Sequence, residues 1–224
     1  MAKDWFEWHE LYQTEDVLQQ RLTIVRNYIS DSLDAAPQGT IQVVSACSGD
    51  GRDLLGVLAT HPRAKDVRAR LVEINPQLVE RGQKAIAQLG LTEQIEFING
   101  DATLTASFAG AVPADLVIVC GIFGNLPNED ILRQLIRNLP SFTKTGGFVL
   151  WTRGHRDGIN HSERVRQIFQ ENEFAEVDFK LTATGNMGVG RHRFEGQTLS
   201  APLDRQFFVF TGTPDKAGLI VSSP

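Results

Sequence analysis

Apolar residues near the start of the chain recur at three- and four-residue steps. Val17, Leu18, Leu22, Val25, Ile29 and Leu33 fall on one face and predict a helix over residues 15–33. Past Pro37-Gln38-Gly39 the rhythm shortens. Compact apolar runs predict strands over 41–46, 69–74, 95–98, 115–120 and 147–152. Between them, helical periodicity covers 53–59, 77–89 and 128–139. Asn75 is placed to cap the second of these helices, Pro76 to fill its first turn and Gly90 to end it. The third puts Ile131, Leu132, Leu135, Ile136 and Leu139 on one side, with Glu129 and Asp130 at the positive end of its dipole.

Strands alternating with helices at this spacing require crossover connections, hence an α/β fold with a mostly parallel sheet flanked by helices. Leu116-Val117-Ile118-Val119 is apolar without alternation, as a central strand covered on both faces must be. The last third departs from this order. It reads as a helix over 161–172, a strand over 176–182, a glycine-rich loop from Gly185 to Gly196 and a final strand over 206–211. Two strands with no helix between them pair antiparallel and close one edge of the sheet. No linker interrupts the chain. Residues 1–38, an aromatic segment and helix expected to serve as a lid, therefore join 39–224 in one domain.

With 224 residues, 42% of them hydrophobic and 22% charged, the chain has the composition of a globular domain. Its formal net charge of -5 argues against a nucleic-acid surface, which gathers Lys and Arg. Cys47 and Cys120 form no Cys-x-x-Cys pair, so no metal site or disulfide framework is expected. Reduced thiols fit a cytoplasm. The stretch Trp5-Phe6-Glu7-Trp8-His9-Glu10 interleaves acids with aromatics and is no signal peptide. No segment approaches the ~20 apolar residues of a membrane span. The expectation is a soluble, cytoplasmic monomer or homodimer with no membrane or nucleic-acid partner.

The stretch VVSACSGDGRD, residues 43–53, runs from a predicted strand through two glycines into a predicted helix. Glycines let a ligand approach the backbone, and a helix start offers unpaired amides. The dinucleotide fingerprint fails because Leu54 stands where its third glycine belongs, and no Gly-Lys-Ser/Thr makes a phosphate loop. Glu73 ends the second strand about 20 residues later, where a carboxylate can accept from both hydroxyls of a ribose. Asp101 follows the third strand, where an acceptor can meet the exocyclic amine of a purine. Asp115 begins the fourth. The glycine turn, the ribose acid Glu73 and the base-facing acid Asp101 together describe an adenosine site with no phosphate requirement.

The succession VVSACSGDGRD, RLVEINPQLVERG, EFINGDAT, PADLVIVCGIFGNL and TGGFVLWT resembles the motifs of class I S-adenosylmethionine-dependent methyltransferases, over residues 41–152. The resemblance implies a Rossmann-like sheet of seven strands with the last antiparallel, and S-adenosylmethionine as cofactor. It implies that Ser45, Ala46, Cys47, Gly49 and Gly51 pass the methionine portion, and that Glu73, with Ile74 beside it, holds the ribose. Asp101 and Ala102 would frame the adenine, and Cys120 and Gly121 would lie beside the sulfonium and the substrate. One place departs from the family. Where its motif has an acid and then three glycines at alternate positions, this chain has Ser45, Cys47, Gly49 and Gly51. The cofactor ammonium would then be met by Asp50, by Asp53 or by backbone carbonyls.

Direct displacement at a sulfonium methyl depends on alignment, with a base needed only when the acceptor sheds a proton. By position the candidate bases are His155 and His9, with Tyr12 to orient. The acceptor is expected to be a small molecule, since no Asn-Pro-Pro-Tyr-like motif follows the fourth strand. Arg153, Arg156, Arg191, His192 and Arg193 read as residues of two C-terminal rim loops, and Phe123 and Asn125 as lining the acceptor side. Beside the methyltransferase stand two other readings: a cofactor-using enzyme with a different reaction, and a non-catalytic binding protein on the same scaffold.

Overall fold

The computed structural model describes residues 5–155, 159–200 and 204–211; Arg156 and the side chains of Trp5 and Trp8 lie outside the described residues. In chain order the helices are α1 (Trp5–Glu10), α2 (Asp16–Ala35), α3 (Arg52–Leu58), α4 (Pro76–Gln88), α5 (Glu129–Asn138) and α6 (His161–Gln170). The strands are β1 (Ile41–Ala46), β2 (Val67–Glu73), β3 (Ile95–Asn99), β4 (Ala114–Val119), β5 (Thr143–Gly154), β6 (Phe174–Leu181) and β7 (Met187–Phe194). They form one sheet in the order β3-β2-β1-β4-β5-β7-β6. Neighbours from β3 through β5 pair parallel, and β7 runs antiparallel to both β5 and β6.

The unbroken apolar run of β4 has a simple cause. Leu116 and Ile118 enter one core, shared with Val25, Ile29 and Leu33 of α2 and with Leu54 and Leu58 of α3. Val117 and Val119 enter the other, shared with Leu135 and Ile136 of α5 and Val165 and Phe169 of α6. A sheet buried on both faces needs apolar residues at every step of its central strands. Helix starts are set locally: Asn75 Oδ1 accepts from the amides of Gln77 and Leu78 at 2.9 and 3.2 Å, and Asn128 Oδ1 from that of Ile131 at 3.0 Å. No described helix is long and apolar enough to cross a membrane.

Two expectations at the C-terminal end fail for one reason. The glycine-rich stretch taken for a loop is β7, and the run at 206–211 makes only an isolated bridge, Gln206 with Leu104. Gly188 and Gly190 are strand residues whose missing Cβ makes room for neighbours. A Cβ on Gly190 would lie 2.3 Å from the ring of the fully buried Trp151, and one on Gly188 would lie 2.2 Å from Ser162 Oγ. The later segment is apolar because Phe207 and Phe208 plug the second core, with Phe207 stacked on Phe142 at 4.3 Å.

The same shift moves the basic residues expected on a rim. Arg191, His192 and Arg193 belong to β7. The His192 side chain is fully buried, and the Arg191 guanidinium lies over the rings of Tyr28 and Phe148 at 5.4 and 5.7 Å. Only Arg193 is exposed among the three, and it pairs with Glu195 at 2.8 Å.

Candidate functional site

After β1 the chain must leave the sheet and start α3 within five residues. It does so through three left-handed positions, Cys47 (φ 52°), Gly49 (φ 59°) and Gly51 (φ 75°). A cysteine rarely takes this conformation, so something must hold it. Ser48 does: its amide donates to Val72 O at 3.1 Å, its hydroxyl donates to Ser45 O at 2.9 Å, and it accepts from the Val72 amide at 3.1 Å. The turn is thereby stapled to β2.

The two glycines answer to different neighbours. A Cβ on Gly51 would lie 2.8 Å from Leu71 and 3.2 Å from Leu55, so its bareness serves helix–strand packing. A Cβ on Gly49 would lie 2.0 Å from Nε2 of His9. The bare side of the turn is thus covered by α1, which sequence periodicity did not show as a helix. Arg81 fastens it: its guanidinium meets Glu10 at 2.6 Å and lies over the Phe6 ring at 4.7 Å.

Glu73 ends β2 and is buried to 6% exposure. Its Oε2 accepts from the Gly49 amide at 2.9 Å and its Oε1 from the Asn75 amide at 3.0 Å. Each oxygen keeps a further lone pair. Next to it Ile74 is 66% exposed, a large apolar side chain left bare at the carboxyl end of the strand. Asp101 begins the turn after β3, where its Oδ1 accepts from the Thr103 amide at 2.8 Å; Ala102 beside it is buried. Burial, reinforced by the charges of Glu73 and Asp101, pushes the Cys47 thiol far above its ordinary range. That proximity places Cys47 among the same strand ends, as a small packing group.

At the end of β4, Cys120 is buried and its thiol is pushed up to about 12 by that burial. The Gly121 amide donates to Thr152 Oγ1 at 2.8 Å, and Asn125 Nδ2 donates to Gly121 O at 2.7 Å. Phe123, expected on the acceptor side, is instead buried against Trp151. Tyr12 is buried too, and burial raises its phenol well above the ordinary value. Its hydroxyl accepts from Arg21, and Arg52 lies over its ring at 4.8 Å.

The two carboxylates offered for the missing motif acid differ sharply. Asp50 is buried, which by itself would raise its carboxyl, but the fork of Arg52 at 2.8 and 2.5 Å prevails and holds it below the usual range. Among the described residues Asp53 pairs with Arg21 alone, at 3.7 Å. Arg21 itself was missed by motif reading. The signal existed: position 21 falls between Leu18, Leu22 and Val25 on the buried side of α2, an arginine inside an apolar stripe.

His155 is not part of this group. Its ring nitrogens are engaged by Gly185 O at 2.8 Å and Ser162 Oγ at 2.7 Å, groups of the β6–β7 turn and of α6. His9 and Tyr12 are brought to the glycine turn; His155 is turned toward the sheet's antiparallel edge.

A seven-stranded sheet in this order, with one antiparallel strand and a glycine turn after β1, is the α/β methyltransferase fold. The chain belongs to the methyltransferase family whose model, described as "Putative methyltransferase", matches residues 9–156. Among curated proteins it is similar to the uncharacterized protein YnbC of Escherichia coli (strain K12), 29% identical over 139 residues. The match takes in 60% of this chain and 23% of YnbC, so the chain spans about a quarter of that relative's length. Magnesium protoporphyrin IX methyltransferase of Synechocystis PCC 6803, crystallised with S-adenosylmethionine, superposes with a TM-score of 0.65 at 17% identity, over 86% of this chain and 92% of that one. The N-methyltransferase NodS of Bradyrhizobium japonicum WM9, in complex with S-adenosylhomocysteine, gives 0.59 at 18% identity, over 87% and 94%.

Proposed function

We propose that this protein is a cytoplasmic methyltransferase that takes S-adenosylmethionine and methylates a small-molecule acceptor. The observation that carries the reading is Glu73, a carboxylate clamped by two backbone amides with a lone pair left on each oxygen, opening beside the bare Ile74. Such an acceptor pair fits the two hydroxyls of a ribose, and the apolar side chain fits the face of a base. Asp101 and Ala102 sit at the next strand end, where they would frame that base. The turn from Ser45 to Gly51 would take the amino-acid portion, with Cys120 and Gly121 beside the reacting centre. Both cysteines are free thiols, in keeping with a reducing compartment.

When bound, S-adenosylmethionine supplies a methyl group on a positively charged sulfur. The protein's own part is to align the acceptor and keep water out. In this reading α1 is the lid: His9 covers the turn, Tyr12 fills the space between Arg21 and Arg52, and Arg81 latches Glu10. If the acceptor sheds a proton, His9 is the better-placed base, with Tyr12 orienting, because it covers the glycine turn whereas His155 faces the β6–β7 turn and α6. The test is calorimetry with S-adenosylmethionine and S-adenosylhomocysteine, followed by incubation of methyl-labelled cofactor with fractionated small-molecule extracts. Label transferred to an acceptor with matching S-adenosylhomocysteine supports the proposal. Methylthioadenosine as product would assign a different reaction, and absence of heat with either compound would refute cofactor binding.

A further inference from the structure

Arg21 is a cation in an awkward place. Its side chain is 5% exposed, at the carboxyl ends of β1 and β4, and a guanidinium carries five N–H donors. Among the described residues its neighbours are the Tyr12 hydroxyl, which accepts from it, the Cys120 thiol and the Asp53 carboxylate at 3.7 Å. The first two are neutral groups, held protonated by burial. The third is too far for the charge-assisted hydrogen bond of about 2.8 Å that such a pair normally makes. A buried charge so loosely answered is costly, because its desolvation is not repaid by a well-formed ion pair. Asp50 offers no comparable opening, since Arg52 grips both its oxygens.

Resting on the cofactor reading above, we propose that the Arg21–Asp53 pair is the recognition site for the zwitterionic end of the ligand. The guanidinium takes the α-carboxylate and Asp53 takes the α-ammonium. A loose ion pair meets a ligand carrying one charge of each sign by exchanging partners, so neither buried charge is left alone. This gives the chain a replacement for the acid that Ser45 displaced, supplied from the first turn of α3 and from α2 rather than from the end of β1. Tyr12, hydrogen-bonded to Arg21, makes the lid helix sense whether this end is filled.

The experiment compares two ligands that share the nucleoside and thioether: S-adenosylhomocysteine, which carries the amino-acid end, and 5′-methylthioadenosine, which lacks it. Calorimetry is run on the full chain and on Asp53→Asn, whose side chain is 19% exposed, with circular dichroism to check that the variant keeps the parent's fold. Arg21→Lys is the second variant. Removing a charged hydrogen-bond partner should weaken S-adenosylhomocysteine by roughly tenfold to a hundredfold in Asp53→Asn while methylthioadenosine changes less than about twofold. Arg21→Lys should show the same split. Equal losses for both ligands, or no loss for either, would overturn the assignment while leaving the cofactor reading intact. If the parent binds neither ligand, the cofactor reading fails and this assignment with it.

Discussion

Replacing Glu73 with glutamine changes one oxygen for an amino group and keeps the shape. The two oxygens now accept from the Gly49 and Asn75 amides at 2.9 and 3.0 Å. Whichever side the new NH2 takes, a donor faces a donor, and one buried amide is orphaned at a cost of about 1–3 kcal/mol. In a domain of this size that should lower the melting temperature by roughly 2–10 °C. Binding should fall further, because the charged acceptor for the ribose hydroxyls is gone. A hydrogen bond to a charged group is worth about 1.5–3 kcal/mol, so the Kd for S-adenosylhomocysteine should rise at least roughly tenfold. Isothermal titration with S-adenosylhomocysteine and its 2′-deoxyribose analogue separates the two effects. The parent should lose affinity when the 2′-hydroxyl is removed; Glu73→Gln should barely notice. A variant that melts earlier yet still discriminates the deoxy analogue would show that Glu73 only braces the turn.

His192 gives a pH prediction. Burial holds its imidazole down at about 4, with Nδ1 accepting from Trp151 Nε1 at 3.1 Å and Nε2 facing Glu176, itself gripped by Arg166, at 3.8 Å. The unfolded chain takes up a proton near pH 6.5 and the folded one does not until about pH 4. This group's contribution is therefore whole above pH 6.5 and lost as pH falls toward 4, a difference of about 3 kcal/mol; urea unfolding across that range should show the slope, and His192→Gln should reduce it. Gly190→Ala should destabilise by about 1–3 kcal/mol in thermal melts, because its methyl would collide with the buried Trp151. Arg81→Ala removes a half-exposed latch worth at most about 1 kcal/mol, so stopped-flow release of S-adenosylhomocysteine should quicken by up to roughly fivefold with an unchanged melting temperature. His155→Gln should lower stability without shifting the pH profile of turnover; a shifted profile would restore His155 as the base.

The chain's own letters were enough for the parallel half of the sheet. Period and local capping are properties of neighbouring residues, so β1, β4 and the α4 start at Asn75-Pro76 could be read directly. The glycine turn and Glu73 were legible for the same reason: each lies at the end of a recognisable strand. What could not be read is whatever depends on a partner far along the chain. Gly188 and Gly190 look like loop residues until Ser162, Phe179 and Trp151 arrive to fill the space where their side chains would be. Phe207 and Phe208 sit in an apolar run that reads like a strand but are drawn into the second core instead. That His9 rests on Gly49 and that Arg21 reaches Asp53 with a contact too long to satisfy it both follow from α1 and α2 folding back over the strand ends. Charge pairing and close packing are set by distance in space, and only the tertiary structure assigns those distances.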